Sequence, residues 1–227
     1  MKITKNYLTK NQCYIIGEKH TPKGVMVHST ATPGVMAAQY VKTWNQFQPN
    51  GRQVCVHAFI DDTGVYQTLP FDMVGWHSGT GNKGVKGNAN NSGYIGFEIC
   101  EPKDLKDKQY FEKVKSISVN FAVYLCKTYN LSVEEILTHT EGNKLGIASN
   151  HADIDHWWKQ HHNYTMDMFR AEVKAVLYKE NQEVELTVEE AQKIVQAKTG
   201  FDTNTMAYLS YYKFSDSLLL KLAKAMQ

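Results

Sequence analysis

Residues 91–101 read NSGYIGFEICE, and the alternation inside them decides the architecture. With a side-chain period of two, Ile95, Phe97 and Ile99 face one way and Gly96, Glu98 and Cys100 the other. A short apolar run of this kind, entered through Asn, Ser and Gly, is a strand of a packed sheet. Glu98 breaks the rule. A carboxylate in an otherwise apolar strand is costly unless it is paired or used, and Gly96 on the same face leaves room beside it for a ligand.

Working outward, five more runs predict strands: CYIIG (13–17), GVMVHS (24–29), VCVHAFID (54–61), VYQTL (65–69) and ILTHT (136–140). The DDTG at 61–64 predicts a hairpin turn between two of them. Helices are expected over 35–48, with Val35, Tyr40, Trp44 and Phe47, and over 166–178. A longer one is expected over 107–129, where Phe111, Val114, Ile117, Phe121 and Leu125 recur at three- and four-residue intervals. Strands alternating with helices give an α/β fold. The hairpin makes the central sheet mixed, flanked by helices.

The composition changes at KENQEVE (179–185), which is charged and lacks aromatics and is expected to be a linker between an α/β domain on 1–178 and a small helical module on 186–227. Within that module Thr187 and Glu190 form a capping-box signature closed by Gly200, and TMAYLSYY and SDSLLLKLAKAMQ predict two further short helices. A segment so short is marginal alone and is expected to pack against the main domain, a partner chain or a target.

Composition narrows the class. The apolar fraction of 42% and charged fraction of 21% are those of a globular protein, and the net charge of +2 is too small for a nucleic-acid partner. No apolar run approaches the roughly 18 residues a membrane span needs, so membrane insertion is not expected. Four cysteines without CxxC spacing argue against a thiolate metal site and suit a reducing compartment. The opening MKITKNYLTKNQCYIIG has lysines but no apolar core of a signal peptide, so a chain staying in the cytosol is expected.

Nine histidines are the unusual number. His28 ends an apolar strand with Met26 on its face, His139 ends the ILTHT run, and NHADIDHWW (150–158) is dense in metal-binding side chains. Residues at strand ends point into the cleft where α/β proteins place ligands. His57 is left outside the core site. His161 and His162 read as surface, and His20 as part of a polar turn.

These motifs together resemble the type 2 N-acetylmuramoyl-L-alanine amidases, a family that includes phage lytic enzymes and peptidoglycan recognition proteins. GVMVHSTATPG (24–34) resembles the family's first strand with its zinc histidine, and VHAFIDDTGVYQTLP (56–70) the hairpin that follows. GWHSG (75–79) is similar to its Trp-His motif, NSGYIGFEICE to the strand bearing the acid–base glutamate, and THTEGNKLGIASNHAD (138–153) to the segment with the remaining ligands. The resemblance runs in order over about 20–178.

It implies Zn2+ held by His28, His139 and Asp153, Glu98 as the proton shuttle, His151 as oxyanion stabiliser, and Trp76 and His77 along the substrate groove. It further implies cleavage of bacterial peptidoglycan between N-acetylmuramic acid and L-alanine, as by a phage endolysin that needs a holin to reach the wall from the host cytoplasm. Three departures stand out: His151 replaces a common lysine, Asp153-Ile154-Asp155 lacks the usual Pro-Gly, and Val56 replaces a tyrosine. The second leaves His151 and His156 open as rival ligands. The alternative function is a recognition module that holds muropeptides without cutting them. A zinc peptidase finds no support, because HExxH is absent.

Overall fold

Six strands form one mixed sheet in the order β1-β4-β3-β5-β2-β6, comprising β1 (Ile3–Lys5), β2 (Gly24–Ser29), β3 (Ala58–Asp61), β4 (Gly64–Gln67), β5 (Tyr94–Ile99) and β6 (Ile136–Thr138). This computed structural model describes residues 1–47, 54–182 and 186–226. All neighbouring pairs are parallel except β3 and β4, which are joined by the expected hairpin. The fold class read from the sequence is the one observed.

Strand β2 lies between β5 and β6 and is buried along its whole length. Helix α3 (Lys108–Tyr129), capped at its start by the Asp107 carboxylate and closed by Asn130 in the left-handed conformation, covers one face. Its Phe121 ring meets Phe97 of β5 at 5.4 Å. On the opposite face helix α2 (Ala37–Trp44) sets Tyr40 and Trp44 against Phe59, Val56 and Cys100. The last residue of the helix expected over 35–48 lies outside the described residues.

Four expectations change. CYIIG is helical, as α1 (Gln12–Ile16): the Asn11 side chain accepts from the Cys13 N–H at 2.9 Å, and Gly17 ends the turn at φ 65°. Local capping outweighed β-branched propensity, and Ile15 and Ile16 are left exposed. Residues 54–57 make no strand. Cys55 only exchanges two backbone bonds with Trp76, at 2.8 and 3.1 Å, which fixes Trp76 beside β3. The ILTHT strand stops at Thr138, whose hydroxyl caps α4 (His139–Lys144) in a capping box with Glu141. His162, expected at the surface, closes α5 (Trp158–His162) and stacks on Phe111 at 4.0 Å.

The described residues divide into two compact units, Met1–Lys174 and Ala175–Gln227. Helix α6 (Met166–Gln182) continues through 179–182, the first part of the expected linker; residues 183–185 lie outside the described residues. In the second unit α7 (Val188–Thr199) and α9 (Ser215–Met226) bury Ala191, Val195, Leu219 and Ala223 together, with Met206 of α8 (Thr203–Ser210) against them. The Thr187–Glu190 capping box and the Gly200 cap both form.

All four cysteines are free and buried. His57 is buried too, and its bonds fix its state: Nε2 donates to the Met73 carbonyl at 2.8 Å and Nδ1 accepts from the Gly96 N–H at 3.0 Å. Burial lowers its pKa from 6.5 to about 4. The unfolded chain therefore binds the extra proton first. The stability His57 contributes is complete above pH 6.5 and is lost as the pH falls to about 4. That slope is at most about 1.4 kcal/mol per pH unit, on the order of 3 kcal/mol in all. His57→Gln should melt with a visibly flatter dependence between about pH 6.5 and pH 4.5. A melting curve as steep as that of the wild type would refute the assignment.

Candidate active site

The parallel register of β2 and β5 sets His28 opposite Glu98, so a histidine and a carboxyl share one face near the strand ends. His139 enters from the first turn of α4, and Asp153 from a 3-10 turn at Asp153–His156. His28 Nδ1 lies 3.2 Å from Asp153 Oδ2 and 3.2 Å from His139 Nδ1, and His139 Nδ1 lies 3.1 Å from the same carboxylate oxygen. Among the described residues these three form a group able to hold a metal ion. A tetrahedral ion bonded at about 2.0–2.1 Å separates its ligand atoms by about 3.3 Å, so the spacing fits zinc. The donor set of two imidazoles and a carboxylate fits as well, and three ligands leave a fourth position open.

Both rival ligands are engaged elsewhere. His156 Nε2 sits 2.8 Å from Glu101 Oε1, and His151 Nδ1 lies 3.0 Å from Ser149 Oγ. The stretch is not extended between His151 and Asp153: Asp153 turns into the left-handed region at φ 40°, His151 is exposed and the Asp153 side chain largely covered. Ser149 ties the histidines together, because its Oγ is also 3.2 Å from His139 Nε2. The two ring centroids are 4.7 Å apart.

A cavity of about 330 Å³ opens over this group, lined by His28, His139, His151, Asp153, Glu98 and Trp76, with Trp44, Val56 and His77 also on its wall. All seven residues singled out from the sequence therefore border one space. His77 is more deeply seated than a groove residue needs to be. Its ring lies on Gly96, where a Cβ would come within 2.4 Å of it, so the space that Gly96 leaves is filled by His77 and not by a ligand.

Electrostatics separate the two carboxyls. Burial raises the Glu98 pKa well above the usual carboxylate range, and the nearby Asp153 and Glu101 raise it further. Glu98 Oε2 is buried without a hydrogen-bond partner. Burial would also raise Asp153, but bonds to His139 and His28 outweigh it and hold that carboxyl well below its usual range. Their surroundings push the two carboxyls in opposite directions, a division common at catalytic sites.

The residue that sequence reasoning missed is Glu101. Fully buried, its Oε1 accepts from Ser29 Oγ at 2.8 Å, from the Ala31 N–H at 3.1 Å and from His156 at 2.8 Å. Ala31 has φ 47°, so Glu101 binds both the segment after His28 and the turn carrying Asp153, each with a non-glycine residue in the left-handed region. The available signal was a second carboxylate at the end of an apolar strand.

The sequence profile of the N-acetylmuramoyl-L-alanine amidase family matches residues 18–162. The chain is 31% identical over 160 residues to the N-acetylmuramoyl-L-alanine amidase CwlH of Bacillus subtilis, covering 68% of this chain and 58% of that protein. It is 31% identical over 128 residues to XlyA of the same species, covering 54% of this chain and 38% of XlyA. The chain thus spans about half the length of the curated relatives it matches. The structure superimposes on the catalytic domain of XlyA with a TM-score of 0.58 and 25% identity, covering 76% of this chain and 99% of that one. Staphylococcus aureus hydrolase AmiA, at 22% identity and a TM-score of 0.61 over 78% of this chain and 83% of AmiA, shares the fold.

Removing the Glu101 carboxylate would leave His156, the Ser29 hydroxyl and the Ala31 N–H without their acceptor. Glu101→Ala should cost about 2–4 kcal/mol in urea unfolding, with Glu101→Gln in between. A loss below about 0.5 kcal/mol, within the range of ordinary surface changes, would show that Glu101 does not hold these segments.

Proposed function

The chain belongs to the N-acetylmuramoyl-L-alanine amidase family, and from that membership we propose that it hydrolyses the amide between N-acetylmuramic acid and the L-alanine of the stem peptide in bacterial peptidoglycan, with zinc as its metal. The observation that carries this reading is the His28–His139–Asp153 triangle on the same cavity as Glu98, a carboxyl whose pKa is raised chiefly by burial. Zinc in a three-ligand site supplies Lewis acidity to a carbonyl and lowers the pKa of water towards about 7.

The protein's own groups move the protons. Water adds to the carbonyl carbon of the muramic acid lactyl group, and the C–N bond to L-alanine breaks. Glu98 accepts a proton from the water and passes it to the departing nitrogen, so the products are a carboxylate and a free amino terminus. Its raised pKa suits this task, because a carboxyl that is always ionised is a poor acid for the second transfer. His151 donates from Nε2 to the carbonyl oxygen as negative charge gathers there. Ser149 Oγ, which lies 3.0 Å from His151 Nδ1 and 3.2 Å from His139 Nε2, holds the His151 ring beside the metal ligands. Trp76 and Trp44 give the sugar or peptide an apolar wall.

A phage endolysin released through a holin is the setting we favour. Among the described residues no helix is long and apolar enough to cross a membrane. Residues 186–227 are read as a wall-contacting module. Its exposed Tyr208, Tyr211, Tyr212 and Phe214 offer flat faces on which sugar rings stack.

Mass spectrometry of digested cell wall tests the activity. New L-alanine amino termini without new reducing sugar ends are expected, abolished by chelator and restored by zinc. Binding without turnover would leave only a recognition module. Glu98→Gln should bind zinc and fold normally while losing about 10²–10⁴-fold in turnover.

The His151–Asp153 pair gives a second test. Asp153→Ala should lose zinc, whereas His151→Ala should keep stoichiometric zinc and lose on the order of 10²–10³ in turnover. Metal analysis showing the reverse pattern would exchange their roles.

A further inference from the structure

We propose that Asn11, which does not border the cavity, is a positioning residue: it holds the two tryptophans of the cavity wall in place and so sets the affinity for substrate. The inference rests on the amidase reading above and adds to it a residue that touches neither metal nor substrate.

The cavity has two unlike sides. His28, Glu98, His139, His151 and Asp153 carry its polar chemistry, whereas Trp44, Val54, Val56 and Trp76 line it with apolar surface. Trp44 ends α2, and neither Val54 nor Trp76 stands on a strand of the sheet. Strand register therefore does not place this side, and something else must.

Asn11 does so. The residue is buried at the start of α1, and both polar atoms of its side chain are engaged. Oδ1 accepts from the Cys13 N–H at 2.9 Å and caps the helix. Nδ2 donates to the Trp44 carbonyl at 3.1 Å and to the Val54 carbonyl at 3.2 Å. The chemistry of the partners fixes the amide's orientation. A flipped amide would set its oxygen against two carbonyl oxygens and its NH2 against a backbone N–H.

One amide thus ties together two points of the chain that both border the cavity. The hold extends to Trp76. Cys55, next to Val54, exchanges backbone bonds with Trp76 at 2.8 and 3.1 Å. Leu8, Cys13, Cys55 and Leu69 form the apolar cluster against which Trp44 and Trp76 both pack. Lys10 adds a further tie, its N–H donating to Asn45 Oδ1 at 2.8 Å.

The polar side is held by other means. Strand register places His28 and Glu98, a capping box places His139, and a left-handed turn places Asp153. Loosening Asn11 should therefore weaken binding and leave the metal site intact. A change that raises KM at constant kcat is the signature of lost binding that ground state and transition state share.

The test compares Asn11→Ser and Asn11→Asp in the full chain, with a soluble muramoyl peptide as substrate. Serine keeps a capping oxygen for α1 but has no group to donate to both carbonyls. Aspartate keeps the outline and the cap but sets its second oxygen against those carbonyls. Both variants should hold as much zinc as the wild type. KM should rise on the order of tenfold, with kcat within about twofold of wild type. Combined with Trp44→Phe, Asn11→Ser should raise KM by less than the product of the single effects, because both changes act on one surface. By NMR, the indole N–H signals of Trp44 and Trp76 should move in Asn11→Ser and those of Trp157 and Trp158 should not. In the wild-type protein the Asn11 side-chain hydrogens should exchange with solvent far more slowly than those of exposed asparagines.

Four results would overturn the proposal: wild-type Asn11 hydrogens that exchange as fast as exposed ones, indole signals of Trp44 and Trp76 that stay in place, KM within about twofold of wild type in both variants, or a fall in kcat with KM unchanged. The first needs no variant and stands even if the substitutions fail to fold. A wild-type protein that cleaves no muramoyl peptide would sink the amidase reading itself, and the exchange and indole measurements would still judge Asn11.

Discussion

The register of two parallel central strands is the constraint on which the site depends. Gly24 to Ser29 pairs residue for residue with Tyr94 to Ile99, and this alone sets His28 beside Glu98. A slip of one residue would put Phe97 or Ile99 opposite His28 and turn Glu98 towards the α3 face. Close packing pins the register at both ends. A Cβ on Gly24 would come within 2.5 Å of the Tyr94 ring and 2.9 Å of the Glu135 carbonyl, and Gly96 leaves no space above it but that of the His77 ring. The chemistry is specified by backbone pairing before any catalytic side chain chooses a rotamer.

The price of the arrangement is a dense buried polar cluster. His28, His57, Glu101 and His139 are nearly inaccessible, and Glu98 Oε2 and Glu101 Oε2 lack partners. Unsatisfied buried groups destabilise by roughly 1–3 kcal/mol each, and positive φ at Ala31 and Asp153 adds strain of similar order. The surrounding apolar layers, Phe97 on Phe121 and Tyr40 on Phe59, supply the compensation. Groups of this kind persist where function holds them in place.

Strands β2 and β5 were legible because their alternation is strong and local. The helix α3 was legible for the same reason, although its buried face is wider than the predicted stripe and takes in Ser118 and Val119. Boundaries were less so. CYIIG has strand composition, but Asn11 and Gly17 cap it into a single helical turn, a signal present in the sequence and outweighed there by β-branched residues. His139 was expected on a strand and stands on a helix, because Thr138 and Glu141 close a capping box around it. The spacing of His151 and Asp153 could not reveal which side chain joins His28 and His139, since the answer lies in a left-handed turn at Asp153 that a spacing of two does not encode. The roles of Gly96 and Glu101 depend on contacts 19 and 55 residues away in sequence, with His77 and His156, and no local pattern encodes them.

The buried cysteines carry a consequence of their own. Cys13 donates its thiol to the Val74 carbonyl at 3.1 Å, Cys55 and Cys100 have their thiols pushed upward in pKa, chiefly by a bond to Cys13 and by burial respectively, and burial moves Cys126 to about 11. Thiolate is the form that reacts with oxidants and attacks disulfides; at Cys55, Cys100 and Cys126 it is disfavoured, and all four sulfurs are shielded by burial. The sulfur atoms behave as apolar packing. Such a fold holds together without a disulfide, so the reducing surroundings of a cell's interior take away no crosslink on which it depends.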